Sequence, residues 1–96
     1  MLDGRNQVNV DVSDIATSEQ LHSFLRERLG FPDYYGCNFD SFWDCITDPD
    51  QSRMPAALRV VGLQALASSL PHEARLLREC LERLSLERPE IHVEIV

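Results

Sequence analysis

Asp40 and Asp44 stand one helical turn apart in Asn38-Phe-Asp-Ser-Phe-Trp-Asp-Cys-Ile-Thr47, with Trp43 between them and Tyr34-Tyr35-Gly36 just upstream. Two carboxylates on adjacent turns suit two kinds of chemistry. They can exchange protons as an acid–base pair, as in glycoside hydrolysis. They can also offer fixed negative charge to a cationic partner. Acid–base work asks for carboxylates that face each other across a cleft, whereas these two share one side of one helix. Aromatic side chains beside uncompensated charge suit a protein-binding surface better than plain solvent. The residue types therefore favour recognition over catalysis.

The helix that carries them has a readable start. Asn38 is a natural N-cap, because its side-chain oxygen can accept from the unpaired amides of the first turn. Gly36 reads as the turn residue that admits positive φ just before that cap. At about 100° per residue, Phe39, Phe42, Trp43 and Ile46 gather on one arc, with Asp40, Asp44 and Thr47 on the next. Trp43 falls at the border. A like-charge pair at i, i+4 costs roughly 0.2–0.5 kcal/mol on an exposed helix. Asp is a weak helix former, and only Asp40 is near enough to the N-terminus to gain from the helix dipole. Asp44 has no local reason to be there.

The surrounding charge is one-sided. No basic residue lies between Arg28 and Arg53, while Asp33, Asp40, Asp44, Asp48 and Asp50 all fall in that interval. Charge runs are usually solvated faces, and Asp48 and Asp50 suit a turn as well as an acidic surface. The interleaved Tyr34, Tyr35 and Trp43 are what set this run apart.

Composition narrows the classes. The chain has 96 residues, a formal net charge of −7 and no lysine. That balance repels nucleic acid and attracts basic partners. A single domain over residues 1–96 is expected, large enough for a modest core. No apolar run approaches the ~20 residues of a membrane span. The polar start Met1-Leu-Asp-Gly-Arg-Asn6 lacks the features of a secretory leader, so a cytoplasmic location is expected. Three cysteines without zinc spacing fit a reducing compartment. Cys45 and Cys80 read as small buried hydrophobes, and Cys37 as an exposed turn residue. His22, His72 and His92 fall on separate elements, and His22 sits off the apolar stripe of its helix, as a surface residue would. No phosphate-binding glycine loop, nucleophile elbow or paired-cysteine site is present, so neither a catalytic residue nor a cofactor or metal is expected.

The elements that position the acidic helix follow from periodicity. Gln7-Val-Asn-Val-Asp-Val12 alternates as a half-buried strand. Thr17-Ser-Glu-Gln20 has capping-box spacing, opening a helix with Leu21, Phe24, Leu25 and Leu29 inward, closed by Gly30, Phe31 and Pro32. Ala57–Leu63 reads as a more buried, central strand. Residues 64–71 form a short helix stopped by Pro71, and 72–88 a longer one with Leu77, Cys80, Leu81 and Leu84 inward. On its exterior, Glu79 and Arg83 are spaced for an i, i+4 ion pair. Ile91–Val96 alternates as a last strand. Helical crossovers between strands imply a parallel sheet.

The run Pro32-Asp-Tyr-Tyr-Gly36 with Asn38-Phe-Asp-Ser-Phe-Trp-Asp-Cys-Ile-Thr47 resembles the barstar family, bacterial protein inhibitors of the extracellular ribonuclease barnase. The likeness is dense over residues 20–47 and holds as an order of elements elsewhere. It implies an α/β two-layer domain with a three-stranded parallel sheet in order 1-2-3 and about four helices. It implies a cytoplasmic, monomeric inhibitor that binds a basic ribonuclease one to one and blocks its active site, without a cofactor. By that resemblance Asp44 is the central carboxylate, placed where an RNA phosphate would lie, and Asp40 is the second acid. Tyr34 packs against the enzyme's catalytic histidine region, and Tyr35 belongs to the same partner-binding set. Gly36 and Asn38 shape the loop, Trp43 and Thr47 flank the contact, and Glu79 matches a peripheral glutamate of the last helix. The alternatives are an acidic module for some other basic protein and, more remotely, a small hydrolase using Asp40 and Asp44.

Overall fold

Alternating burial turns Gln7–Asp11 into strand β1, with Val8 and Val10 inward and Gln7, Asn9 and Asp11 in solvent. The computed structural model describes residues 7–31, 35–36, 38–48 and 55–96. Tyr34, Cys37, Asp33 and Asp50, on which expectations were placed, lie outside them. Beyond β1 the chain runs through α1 (Ser18–Leu29), α2 (Phe39–Thr47), β2 (Ala57–Val61), α3 (Leu63–Ser69), α4 (Pro71–Glu87) and β3 (His92–Ile95). The strands pair in parallel in the order β1-β2-β3. The expected α/β sheet with its second strand central is the one that forms.

One face of this sheet carries the core. Val8, Val10, Leu58 and Val60 are buried there with residues from all four helices. The other face exposes Gln7, Asn9, Asp11, His92 and Glu94, so the molecule has two layers. Arg59 and Glu94 are register partners on this open face and form an ion pair of 3.4 Å. With both side chains about half exposed, such a pair contributes little, up to about 1 kcal/mol.

Helix ends follow local chemistry. Thr17 caps α1 by accepting from the Gln20 amide at 3.1 Å. The Gln20 side chain reaches back one residue further than a capping box requires, accepting from the Ala16 amide at 2.9 Å. At the other end Gly30 is left-handed, at φ 70°. The Phe31 amide donates to the Arg26 carbonyl, and Phe31 is buried, the hydrophobic contact that such a C-cap brings with it. Pro71 stops α3 as expected but also opens α4 at its first turn, where a missing N–H costs nothing.

β2 ends two residues earlier than its apolar run suggests. Gly62 takes φ 82° and starts α3 directly. A Cβ there would fall 2.6 Å from Ser13 Cβ and 2.9 Å from Ser13 N, in the turn after β1. That turn is itself fixed by Asp11, whose carboxylate accepts from the Ser13 amide at 2.9 Å and hydroxyl at 2.6 Å. These hydrogen bonds hold the Asp11 carboxyl below its ordinary pKa. Among the described residues no helix is long and apolar enough to cross a membrane.

Gly62→Ala therefore meets both a left-handed backbone, which costs an L-residue about 1–2 kcal/mol, and a clash with the Ser13 backbone. Urea denaturation is expected to show a loss of at least about 2 kcal/mol. A loss under about 0.5 kcal/mol would contradict the close approach of the two turns.

Candidate functional site

The loop into α2 is stitched to the helix by three hydrogen bonds. Asn38 Oδ1 accepts from the Ser41 amide at 2.8 Å, as the N-cap reading requires. Asn38 Nδ2 donates to the Gly36 carbonyl at 3.2 Å, and the Gly36 amide donates to Ser41 Oγ at 3.1 Å. Gly36 is thus held against the first turn. Its expected positive φ is not found: among the described residues the positive-φ glycines are Gly30 and Gly62. Close approach is the reason for glycine here, since a Cβ would lie 2.7 Å from Ser41 Oγ.

Below this loop lies a buried polar contact that sequence reasoning missed. Tyr35 is only 6% exposed, and its hydroxyl stands 2.5 Å from Nδ1 of His22, which is 1% exposed. Two expectations are corrected here. His22 is an interior residue, not a surface one, and Tyr35 turns inward instead of standing exposed. The rings of Phe31 and Phe39 pack beside them, Phe31 at 5.0 Å from Tyr35 and Phe39 at 4.8 Å from His22. Burial pushes the His22 pKa down, against a smaller upward pull from Glu73. With a neutral imidazole that carries its proton at Nε2, Nδ1 is free to accept a hydrogen bond from the tyrosine hydroxyl. The Asn38 carbonyl, 3.5 Å from the same hydroxyl, is the alternative acceptor.

α2 itself divides as its pattern suggests. Phe42, Cys45 and Ile46 are buried, Phe39 and Trp43 are half-buried, and Asp40 and Asp44 are exposed. Burial raises the Cys45 thiol pKa, with Asp44 and Asp48 adding to it. Thr47 is half-buried, and its hydroxyl donates back to the Trp43 carbonyl at 2.7 Å. Arg88, just past α4, donates from Nη1 to the Ile46 carbonyl at 3.3 Å, which places a cation at the C-terminus of α2.

α4 supplies the other wall. A cleft of about 410 Å³ opens between the two helices, lined by Phe39, Asp40, Trp43 and Asp44 from α2 and by Leu76, Glu79, Cys80 and Arg83 from α4. Glu79, chosen from sequence, thus reaches the same cleft as Asp40, Trp43 and Asp44. Cys80 is half-buried, and burial raises its thiol pKa. The anticipated Glu79–Arg83 ion pair does not form. The Arg83 guanidinium lies instead over the Trp43 ring, 4.4 Å from its centre. The stretch from Arg28 to Arg53 lacks a basic residue in sequence, yet α4 brings one to it in space.

Of the nine residues picked from sequence, Asp40, Trp43, Asp44 and Glu79 share this cleft. Gly36 and Asn38 are exposed at its loop end, and Tyr35 supports that loop from inside. No side-chain hydrogen bond or ion pair engages the Asp44 carboxylate among the described residues. Nor is there a group of three or more His, Cys, Asp or Glu among them that could hold a metal ion. Such an edge can offer carboxylates and an indole to a cationic protein surface.

The family model described as "Barstar (barnase inhibitor)" matches residues 5–96. A protein of Bacillus subtilis (strain 168) named "Putative ribonuclease inhibitor YrdF" is 46% identical over 41 residues, 43% of this chain and 45% of that protein. The match therefore spans less than half of that relative's length.

The His22 environment has a consequence for stability. The folded state keeps this imidazole's pKa below the unfolded value of about 6.5, so the unfolded chain binds more protons in between. Stability is then fully present above about pH 6.5 and falls as the pH drops through the depressed folded pKa. Urea midpoints at pH 7.5 and 5.5 are expected to differ in the parent and to converge in His22→Gln. An unchanged pH difference in that variant would show that His22 is not the titrating group.

Proposed function

The chain belongs to the Barstar (barnase inhibitor) family, and on that premise we propose that it binds a basic ribonuclease and covers its active site. The exposed edge of α2 and the loop before it make the contact. Asp44 occupies the position of an RNA phosphate and accepts hydrogen bonds from arginine and histidine side chains of the enzyme. Asp40 and Glu79 extend the acidic surface, and Trp43 and Thr47 flank it. Tyr34 completes the contact, while Gly36, Asn38 and Tyr35 fix the loop.

The observation that carries this reading is the state of Asp44. It is exposed, sits on a helix whose opposite side is locked in the core, and its carboxylate has no hydrogen-bond or ion-pair partner among the described residues. A carboxylate placed at the cost of repulsion from Asp40 serves no stabilising purpose within the chain. Brought against a guanidinium in a desolvated contact, it forms charge-assisted bonds about twice as strong as neutral ones. The net charge of −7 adds a field that draws a cationic enzyme in. One role serves both ends: the same charge that attracts the enzyme mimics its substrate.

Asp44→Ala should leave the unfolding free energy within about 0.5 kcal/mol of the parent. Its binding to a basic ribonuclease that the parent inhibits should weaken by at least about 2 kcal/mol, roughly thirtyfold in Kd. Glu94→Gln, on the open face of the sheet, should change binding by less than about 1 kcal/mol. RNA cleavage followed during titration reads all three proteins. Equal inhibition by Asp44→Ala and the parent would remove Asp44 from the interface.

A further inference from the structure

Among the described residues Arg83 is the one cation lining the cleft between α2 and α4, against the carboxylates of Asp40, Asp44 and Glu79. It pairs with none of them. Its guanidinium carbon stands over the indole, 4.4 Å from the ring centre, while the residue stays exposed. An aromatic face ringed by carboxylates is the environment that a guanidinium seeks, through cation–π attraction and the negative field together. In the free protein that place is already taken.

We propose that Arg83 is a resident cation of the cleft, which a partner's arginine must displace to reach Trp43, so that Arg83 sets the selectivity of this surface. The proposal rests on the reading of the α2 edge as the partner-binding face. Two effects oppose an incoming arginine. The indole face has to be vacated, and two like charges meet in one small cleft. Because Arg83 is long, exposed and unpaired, it can swing out, so the effect is on affinity rather than on access. A partner with a neutral group at this point escapes the penalty, and one with an arginine does not. The sequence hides this, because Arg83 sits four residues from Glu79 and reads as its ion-pair partner.

The test uses the full-length protein with a hexa-arginine peptide as the probe. Trp43 is the chain's single tryptophan, so its fluorescence reports directly on the cleft. Arg83→Ala is compared with Arg75→Ala, which removes the same charge from α4 at a different groove, beside Leu63 and Pro71. Vacating the ring and removing the like charge should together tighten peptide binding about tenfold in Arg83→Ala. Arg75→Ala should stay within about twofold of the parent, the effect of net charge alone. Equal gains in both variants, or no gain in Arg83→Ala, would overturn the proposal. A parent protein that inhibits no basic ribonuclease would instead overturn the proposed function, and the peptide titration would still decide the role of Arg83.

Discussion

Phe42, Cys45 and Ile46 enter the core from a helix of only nine residues. Isolated helices shorter than about 12–15 residues are marginal in water, so α2 exists because the protein holds it on three sides. Its apolar edge is buried, Asn38 closes its first turn, and Arg88 ties the Ile46 carbonyl at its far end. With the inner edge fixed, rotation about the helix axis is fixed as well. Asp40 and Asp44 have no freedom to turn inward, and the indole of Trp43 is left straddling the boundary. The exposed edge is therefore a consequence of the buried one.

The same logic extends to the loop. Tyr35 and His22 meet beneath it, and Gly36 and Asn38 bind it to the first turn of α2. Tyr35, Gly36 and Asn38, held from below and from the side, are in place before any partner arrives. For these residues little conformational entropy then remains to be lost on binding, which for an ordered side chain runs at about 0.5–1.5 kcal/mol each. Preorganised carboxylates are also what a phosphate mimic requires, since a phosphate in an active site is met by groups already in place.

Much of this was legible in the sequence because it rests on local rules. Alternation in Gln7–Asp11, the caps at Thr17 and Asn38, and the break at Gly30 are short-range signals, and each appears where expected. What escaped is tertiary. At about 100° per residue His22 lies only about 20° from Leu29 on α1, so the buried arc runs from Leu21 to His22 and leaves Phe24 at its edge. A stripe that counts Phe24 in and ends at Leu29 leaves the histidine just outside. Nothing in the sequence says that the Tyr35 ring turns inward, because that depends on where α1 lies. Spacing alone pairs Arg83 with Glu79. The packing of α4 on α2 offers it an aromatic face that a pattern within one helix cannot reveal.

If the acidic edge takes the place of an RNA phosphate, the inhibitor and a nucleotide must compete for one site on the enzyme. A ribonuclease that this protein inhibits can be loaded with a nucleoside 3′-phosphate, and the inhibitor's Kd measured as nucleotide concentration rises. Mutual exclusion is predicted: the apparent Kd climbs in proportion to nucleotide above its own dissociation constant, and no ternary complex accumulates. A Kd that stays constant while the nucleotide remains bound would place the contact away from the active site and contradict the account.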